Sequence, residues 1–195
     1  MNRVRLGLSI VLVCLLSFNI MAQNTSKTEK ANKVQWTNVE EAVNMASKQD
    51  KPLFIDCYTS WCGWCKVLDE RTFSNDTIAR ILNKYYYPVK FDAEGSDDIT
   101  INGKTYHAQK RNGKNSTHEL MSLLWEGQRG GGYPSLVIRK GDFSPITVEM
   151  GFRSASDLEP LLVYFAKEYN KKMSFDKFSQ KYAKDYRAEI LKEIF

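Results

Sequence analysis

Apolar positions fall into three regimes along the 195 residues. Leu6 to Ile20 is almost continuously apolar, preceded by Arg3 and Arg5 and followed by Met21-Ala22-Gln23. A basic start, an apolar stretch shorter than the ~20 residues of a spanning helix, and a small residue at its end predict a cleaved signal peptide over residues 1–22. Residues 23–34 are polar and unpatterned, which predicts a flexible leader. From residue 35 onward, short apolar runs alternate with stripes at helical spacing.

Thr37 and Glu40 have the spacing of a capping box, and Val39, Ala42, Val43 and Ala46 follow at helical period, which predicts a helix over 38–48. Asp50-Lys51-Pro52 ends it. Leu53–Tyr58 is a compact apolar run with aromatic members and predicts a strand. A helix follows from about Cys62 through Leu68. Asn75-Asp76 caps another, with Ile78, Ile81, Leu82 and Tyr85 on one face. Tyr86–Asp92 predicts a second strand. Residues 95–115, rich in Gly, Asn, Asp and Lys, interrupt the pattern as a surface insertion. Asn102-Gly103 inside Ile99–Tyr106 predicts a hairpin there. Thr117–Trp125 reads as helix, Gly130–Pro134 as a turn, Ser135–Arg139 and Ile146–Gly151 as strands joined by Lys140-Gly141-Asp142. A helix is expected from Ser156 or Asp157 to about Lys171. Phe175, Phe178, Tyr182, Tyr186 and Ile190 then mark an amphipathic helical extension over 173–195 that packs on the domain. Strands alternating with helices predict an α/β fold over 35–172, with a mixed central β-sheet flanked by helices and its last two strands antiparallel.

Composition adds little. Lys and Arg total 28 against 23 Asp and Glu, a net charge of +5 that becomes +3 without Arg3 and Arg5. Such a mild excess implies no nucleic-acid partner, and removal of residues 1–22 implies no stable membrane insertion.

Cysteine usage changes the picture. Of four cysteines, Cys14 lies in the apolar leader and Cys57, Cys62 and Cys65 remain, with Trp61-Cys62-Gly63-Trp64-Cys65-Lys66 at their centre. Haem attachment needs His after the second Cys, where this chain has Lys66. A structural zinc site needs four ligands, and the two histidines, His107 and His118, lie in or beside the insertion. A disulfide closing so small a loop restrains the unfolded chain little. A redox dithiol explains more: Cys62 at a helix start receives backbone N–H groups and the positive dipole end, which favour its thiolate, and Cys65 lies one turn behind it. Cys57 alternates with Asp56 along the strand and faces the opposite side as a buried small hydrophobe.

The segment Phe54–Lys66 resembles the active-site segment of the thioredoxin superfamily, and Tyr133-Pro134-Ser135 resembles that family's cis-proline loop. The resemblance spans roughly residues 35–170 and is greatest to secreted bacterial thioredoxin-like proteins related to the C-terminal domain of the membrane reductant carrier DsbD. It implies that Cys62 attacks, Cys65 resolves, Asp56 is a buried carboxylate shuttling a proton, and Lys90 is its partner. It places Trp61, Gly63, Trp64, Tyr133 and Pro134 on the substrate-binding surface. Trp64 departs from the proline or histidine common between the cysteines. The expected function is that of a periplasmic thiol–disulfide oxidoreductase, reductase or isomerase rather than strong oxidase. It would need no cofactor beyond the Cys62–Cys65 disulfide, act on protein or peptide thiols and disulfides, and draw electrons from a membrane reductant carrier. The rival expectation is a thioredoxin-fold binding or chaperone module with the dithiol secondary. The insertion is expected to overhang the active site and restrict substrates.

Overall fold

The computed structural model describes residues 33–49 and 51–195, so the expected signal peptide and all but the end of the leader lie outside the described residues. Four strands build the central sheet. β1 (Leu53–Tyr58) lies between β2 (Tyr87–Asp92), to which it is parallel, and β7 (Ser135–Arg139), to which it is antiparallel. β8 (Pro145–Met150) pairs antiparallel with β7 at the far edge, giving the order β2-β1-β7-β8. On the free edge of β2, Thr37 donates to the Pro88 carbonyl at 2.9 Å and accepts from the Lys90 amide at 3.2 Å.

Period-two alternation along β1 sorts its side chains between two cores. Leu53, Ile55 and Cys57 pack under α1 (Val39–Ala46) and α4 (Leu120–Leu124) with Val89, Phe91 and Val137. Phe54 faces the other way, toward α2 (Gly63–Leu68), α3 (Asp76–Tyr85) and α5 (Ala155–Ala166), among Leu68, Ile78, Leu82, Leu136 and Leu162. Asp56 shares the Phe54 side of the strand and is wholly buried. Each fully buried Leu, Ile or Phe here contributes about 1.5–3 kcal/mol, so an ionisable group in the same layer needs a compensating partner.

Several boundaries differ from expectation for local reasons. The cap of α1 is Asn38, whose side chain accepts from the Glu41 amide at 2.8 Å, because Thr37 is committed to the β2 edge. α4 starts only at Leu120, whose amide donates to the His118 ring at 3.0 Å, since residues 117–119 anchor the insertion. α5 is capped by Ser154, two residues earlier than expected, and stops at Ala166, where Glu168 takes a left-handed conformation. α2 runs directly into a π-helical turn, Asp69–Phe73.

The insertion holds two hairpins. β3 (Ile99–Ile101) pairs with β4 (Lys104–Tyr106) around Asn102-Gly103, and β5 (Gln109–Arg111) pairs with β6 (Lys114–Ser116) around Asn112-Gly113. Its roots meet the sheet at the end of β1: the Ala93 amide donates to the Tyr58 carbonyl and the His118 amide to the Ala93 carbonyl, both at 2.8 Å. The expectation that the insertion overhangs the active site fails for the first hairpin. Thr100 binds Glu40 at 2.7 Å and the Asn102 amide group donates to the Asp142 carbonyl at 3.3 Å. Asp142 sits in the β7–β8 turn, beside the start of β1 and thus opposite Cys62.

At the C-terminus, α6 (Phe175–Lys181), a π turn (Tyr182–Tyr186) and α7 (Arg187–Ile194) form a continuous helical run. Phe178, Tyr182, Ile190 and Ile194 are buried against α3 and α5. Glu159 of α5 binds this run through the Tyr182 hydroxyl at 2.9 Å and the Arg187 guanidinium at 2.7 and 3.3 Å.

Candidate active site

β1 delivers the chain to the site. After Tyr58 it turns, the Cys62 amide donating to the Thr59 carbonyl at 3.1 Å, and enters α2 with Cys62 as the N-cap. Cys62 Sγ accepts from the Cys65 amide at 3.1 Å, filling one of the donor positions that a helix start leaves open. The two cysteines form a disulfide. Both are nearly buried, at 4% and 2% exposure, whereas the flanking Trp61 and Trp64 are 65% and 62% exposed.

A charged cluster lies on the Phe54 side of β1. Asp56 Oδ2 accepts from Lys90 Nζ at 2.6 Å, and its Oδ1 contacts no donor. Burial pushes the Asp56 carboxyl up to about 6, against the pull of Lys90. Lys90 also donates to Asp69, and its ammonium lies 5.2, 5.1 and 5.4 Å from the rings of Trp36, Tyr58 and Phe73. Burial lowers the Lys90 pKa, but the Asp56 and Asp69 carboxylates outweigh it, so Lys90 stays above its usual value and is a fixed cation at neutral pH. A carboxyl that titrates near 6 can take up and release a proton close to neutral pH.

In front, the Tyr133–Pro134 peptide is cis, and the Pro134 carbonyl accepts from the Gly151 amide at 2.8 Å. The Tyr133 ring stands between Trp61, at 6.0 Å, and Trp125, at 5.5 Å. Trp61 Nε1 donates to Glu94 at 2.9 Å. Trp64 tilts against Phe152 at 5.7 Å. Gly63 is exposed, and a Cβ there would meet no neighbour within 4 Å, so nothing overhangs its Cα.

Of the expected residues, Asp56 and Lys90 form an ion pair across β1 and β2, Trp61, Gly63 and Trp64 flank the disulfide in sequence, and Tyr133, next to cis-Pro134, meets the Trp61 ring. Cys57 stands apart, fully buried in the opposite core with a free thiol that burial pushes well up. Sequence reasoning missed Asp69, Glu94 and Phe152. Asp69 carried a usable signal, because it follows Cys65 by four residues and shares its helical face. Glu94 and Phe152 reach the site only through tertiary packing.

The chain resembles several known proteins. Residues 19–149 match the family Thioredox_DsbH, described as a protein of unknown function, DUF255. The uncharacterized protein B0495.5 of Caenorhabditis elegans is 30% identical over 108 residues, 55% of this chain and 12% of its own. Spermatogenesis-associated protein 20 of Homo sapiens is 37% identical over 60 residues, 31% of this chain and 8% of its own. The chain therefore spans about a tenth of the length of these curated relatives. Among solved structures, a DsbH oxidoreductase aligns with 71% of this chain and 87% of its own at 16% identity and a TM-score of 0.48. The C-terminal domain of Neisseria meningitidis DsbD, in its reduced form, aligns with 68% and 92% at 18% identity and a TM-score of 0.41. With the family match covering more than half of its length and a thioredoxin-type sheet carrying the Cys62-Gly-Trp-Cys65 disulfide, this chain belongs to the Thioredox_DsbH family of the thioredoxin superfamily.

Proposed function

We propose that the protein is a periplasmic thiol–disulfide oxidoreductase that reduces or isomerises disulfides in polypeptides. The observation that carries this reading is the pairing of a helix-capping Cys62–Cys65 disulfide with a buried, near-neutral Asp56 on the strand behind it. In the reducing direction, the Cys62 thiolate attacks a substrate disulfide and expels one substrate thiolate. Cys65 gives up its proton, for which Asp56 is the acceptor, and its thiolate attacks Cys62. The Cys62–Cys65 disulfide re-forms and the second substrate thiolate leaves. Two electrons and two protons pass to the substrate, and no further cofactor is required. The backbone of Tyr133 beside cis-Pro134 presents an edge for an extended substrate strand, and Trp61, Gly63 and Trp64 form the rim that it crosses. Lys90 holds the Asp56 carboxylate in place.

Export rests on the signal-peptide pattern of residues 1–22. Among the described residues no helix is long and apolar enough to cross a membrane. A membrane reductant carrier is the donor that such a reductase would require. The apolar, uncharged Trp64 between the cysteines supports the reducing over the oxidising direction, since it adds no cation to stabilise the Cys62 thiolate.

The test is equilibration of the disulfide with glutathione or dithiothreitol. A potential near that of thioredoxin, about −270 mV, supports the reductase, and one near −120 mV reverses the direction. Cys65→Ser should accumulate a mixed disulfide with a protein substrate on Cys62, visible by mass spectrometry. A pair that does not cycle overturns the assignment.

A further inference from the structure

The β5–β6 hairpin is built against ordinary stability. Its eight residues, Gln109-Lys110-Arg111-Asn112-Gly113-Lys114-Asn115-Ser116, include no apolar side chain, and all but Gln109 and Ser116 are exposed. A two-stranded hairpin without a packed face is marginal in water. This one also sets Arg111 directly opposite Lys114, a cross-strand pair of like charges that weakens it further, with Lys110 opposite Asn115. Among the described residues none of Lys110, Arg111 and Lys114 makes an ion pair.

The acids nearest in sequence are engaged at the hairpin's root instead. Asp98 holds the His107 ring and the Ala108 amide, both at 2.9 Å. Glu119 accepts from the His107 amide and from the Gln109 side chain, both at 2.8 Å. The root is thus fixed while Lys110, Arg111 and Lys114 have no ion-pair partner among the described residues. It is also tied to the disulfide site, because β6 leads within four residues into α4. Trp125, which ends α4, tilts against Tyr133, which meets Trp61.

Resting on the redox reading above, we propose that the β5–β6 hairpin is a cationic docking arm that recruits polypeptide substrates carrying an acidic stretch near their disulfide. The absence of any apolar residue on the hairpin favours an acidic polypeptide over an apolar partner or a lipid surface, which insertion of aromatic or aliphatic side chains would accompany. An acidic segment lying across the hairpin would neutralise the Arg111–Lys114 repulsion, so binding and local ordering reinforce each other.

The probes are two peptides sharing one disulfide, one flanked by four glutamates and the other by four glutamines. The Glu peptide is expected to react with the reduced protein with kcat/KM roughly tenfold higher at low salt, the lower end of electrostatic steering. That advantage should vanish at high ionic strength. In K110Q/R111Q/K114Q the preference should disappear, while the Gln peptide and dithiothreitol react as before. These exposed substitutions remove repulsion, so the variant should melt no lower than the parent. Equal rates for the two peptides in the parent protein, or a preference that survives in the triple variant, would overturn the docking role. If neither peptide is turned over, the redox reading fails instead. Fluorescence anisotropy of the labelled Glu peptide then decides docking alone: salt-sensitive binding lost in the triple variant supports it, and no binding overturns it.

Discussion

Replacing Asp56 by Asn should stabilise the protein, by an amount that depends on pH. Asp56 is fully buried, one of its oxygens has no donor, and its cation Lys90 is shared with Asp69. Its carboxyl is held at about 6 instead of 3.8, which means that the ionised form costs the folded state about 3 kcal/mol relative to the neutral form. The folded chain therefore binds this proton more tightly than the unfolded chain. Stability contributed by the neutral acid is present below pH 3.8 and is lost as pH rises through about 6. Asn has the shape of the acid without its charge. Urea unfolding of the oxidised protein, followed by tryptophan fluorescence, should give equal stabilities for parent and variant near pH 4. Near pH 8 the variant should gain up to about 3 kcal/mol, with nearly all of the gain appearing between these limits. Turnover should fall in the same variant, because the proton acceptor for Cys65 is gone. A difference in stability that is constant with pH, or that favours the parent at pH 8, would refute the reasoning.

Other perturbations probe separate parts of the structure. Glu159→Ala removes the acceptor of the buried Tyr182 hydroxyl and the partner of Arg187, and should lower the unfolding free energy from urea titration by about 2–4 kcal/mol; an unchanged urea midpoint would mean that the C-terminal run is not clamped there. Gly131→Ala would place a Cβ 2.1 Å from the Trp125 ring, so the ring must swing away from Tyr133. A loss of about 1–3 kcal/mol is expected, together with a changed fluorescence spectrum. Cys57 is fully buried in the core opposite Asp56, so native reduced protein should take up iodoacetamide at Cys62 before Cys57, and Cys57→Ala should retain turnover. Labelling of Cys57 at the Cys62 rate would show that this core opens.

Much of the architecture was legible because its signals are local. A strand run, a Trp-Cys-Gly-Trp-Cys turn and a following apolar stripe each need only a few neighbours to be read. The same Asn-Gly pair that marked the first hairpin stands at Asn112-Gly113. The second hairpin went unread because no alternating apolar residues flank it, an absence that is itself a consequence of its exposure. Thr37 and Asn38 are both good caps, and only the pairing of Thr37 with β2 chooses between them. Arg139 closes an apolar strand run and looks like its solvent-facing end. It is instead buried, donating to the carbonyls of Leu123 and Phe143, a role created by the approach of α4 and the β7–β8 turn. At the site, Asp56 and Lys90 follow from strand phase and resemblance. Asp69, Glu94 and Phe152 depend on which loops the sheet brings together.

The shared root of the insertion has a consequence for how this fold can change. The chain leaves the sheet after Ala93 and returns at His118, and these two residues are hydrogen-bonded to each other at 2.8 Å, with Ala93 bonded in turn to the end of β1. Departure and return share one point; β3–β4 is held by Ile101 and Tyr106 in the core under α1 and α4, while the exposed β5–β6 hairpin lacks such an anchor and behaves as a cassette. A shorter or longer segment can replace β5–β6 without altering the spacing of Asp56, Cys62 and Pro134, and the entropy of closing it grows only with the logarithm of its length. Descendants of such a chain can trade recognition elements at this seam while the redox centre keeps its geometry.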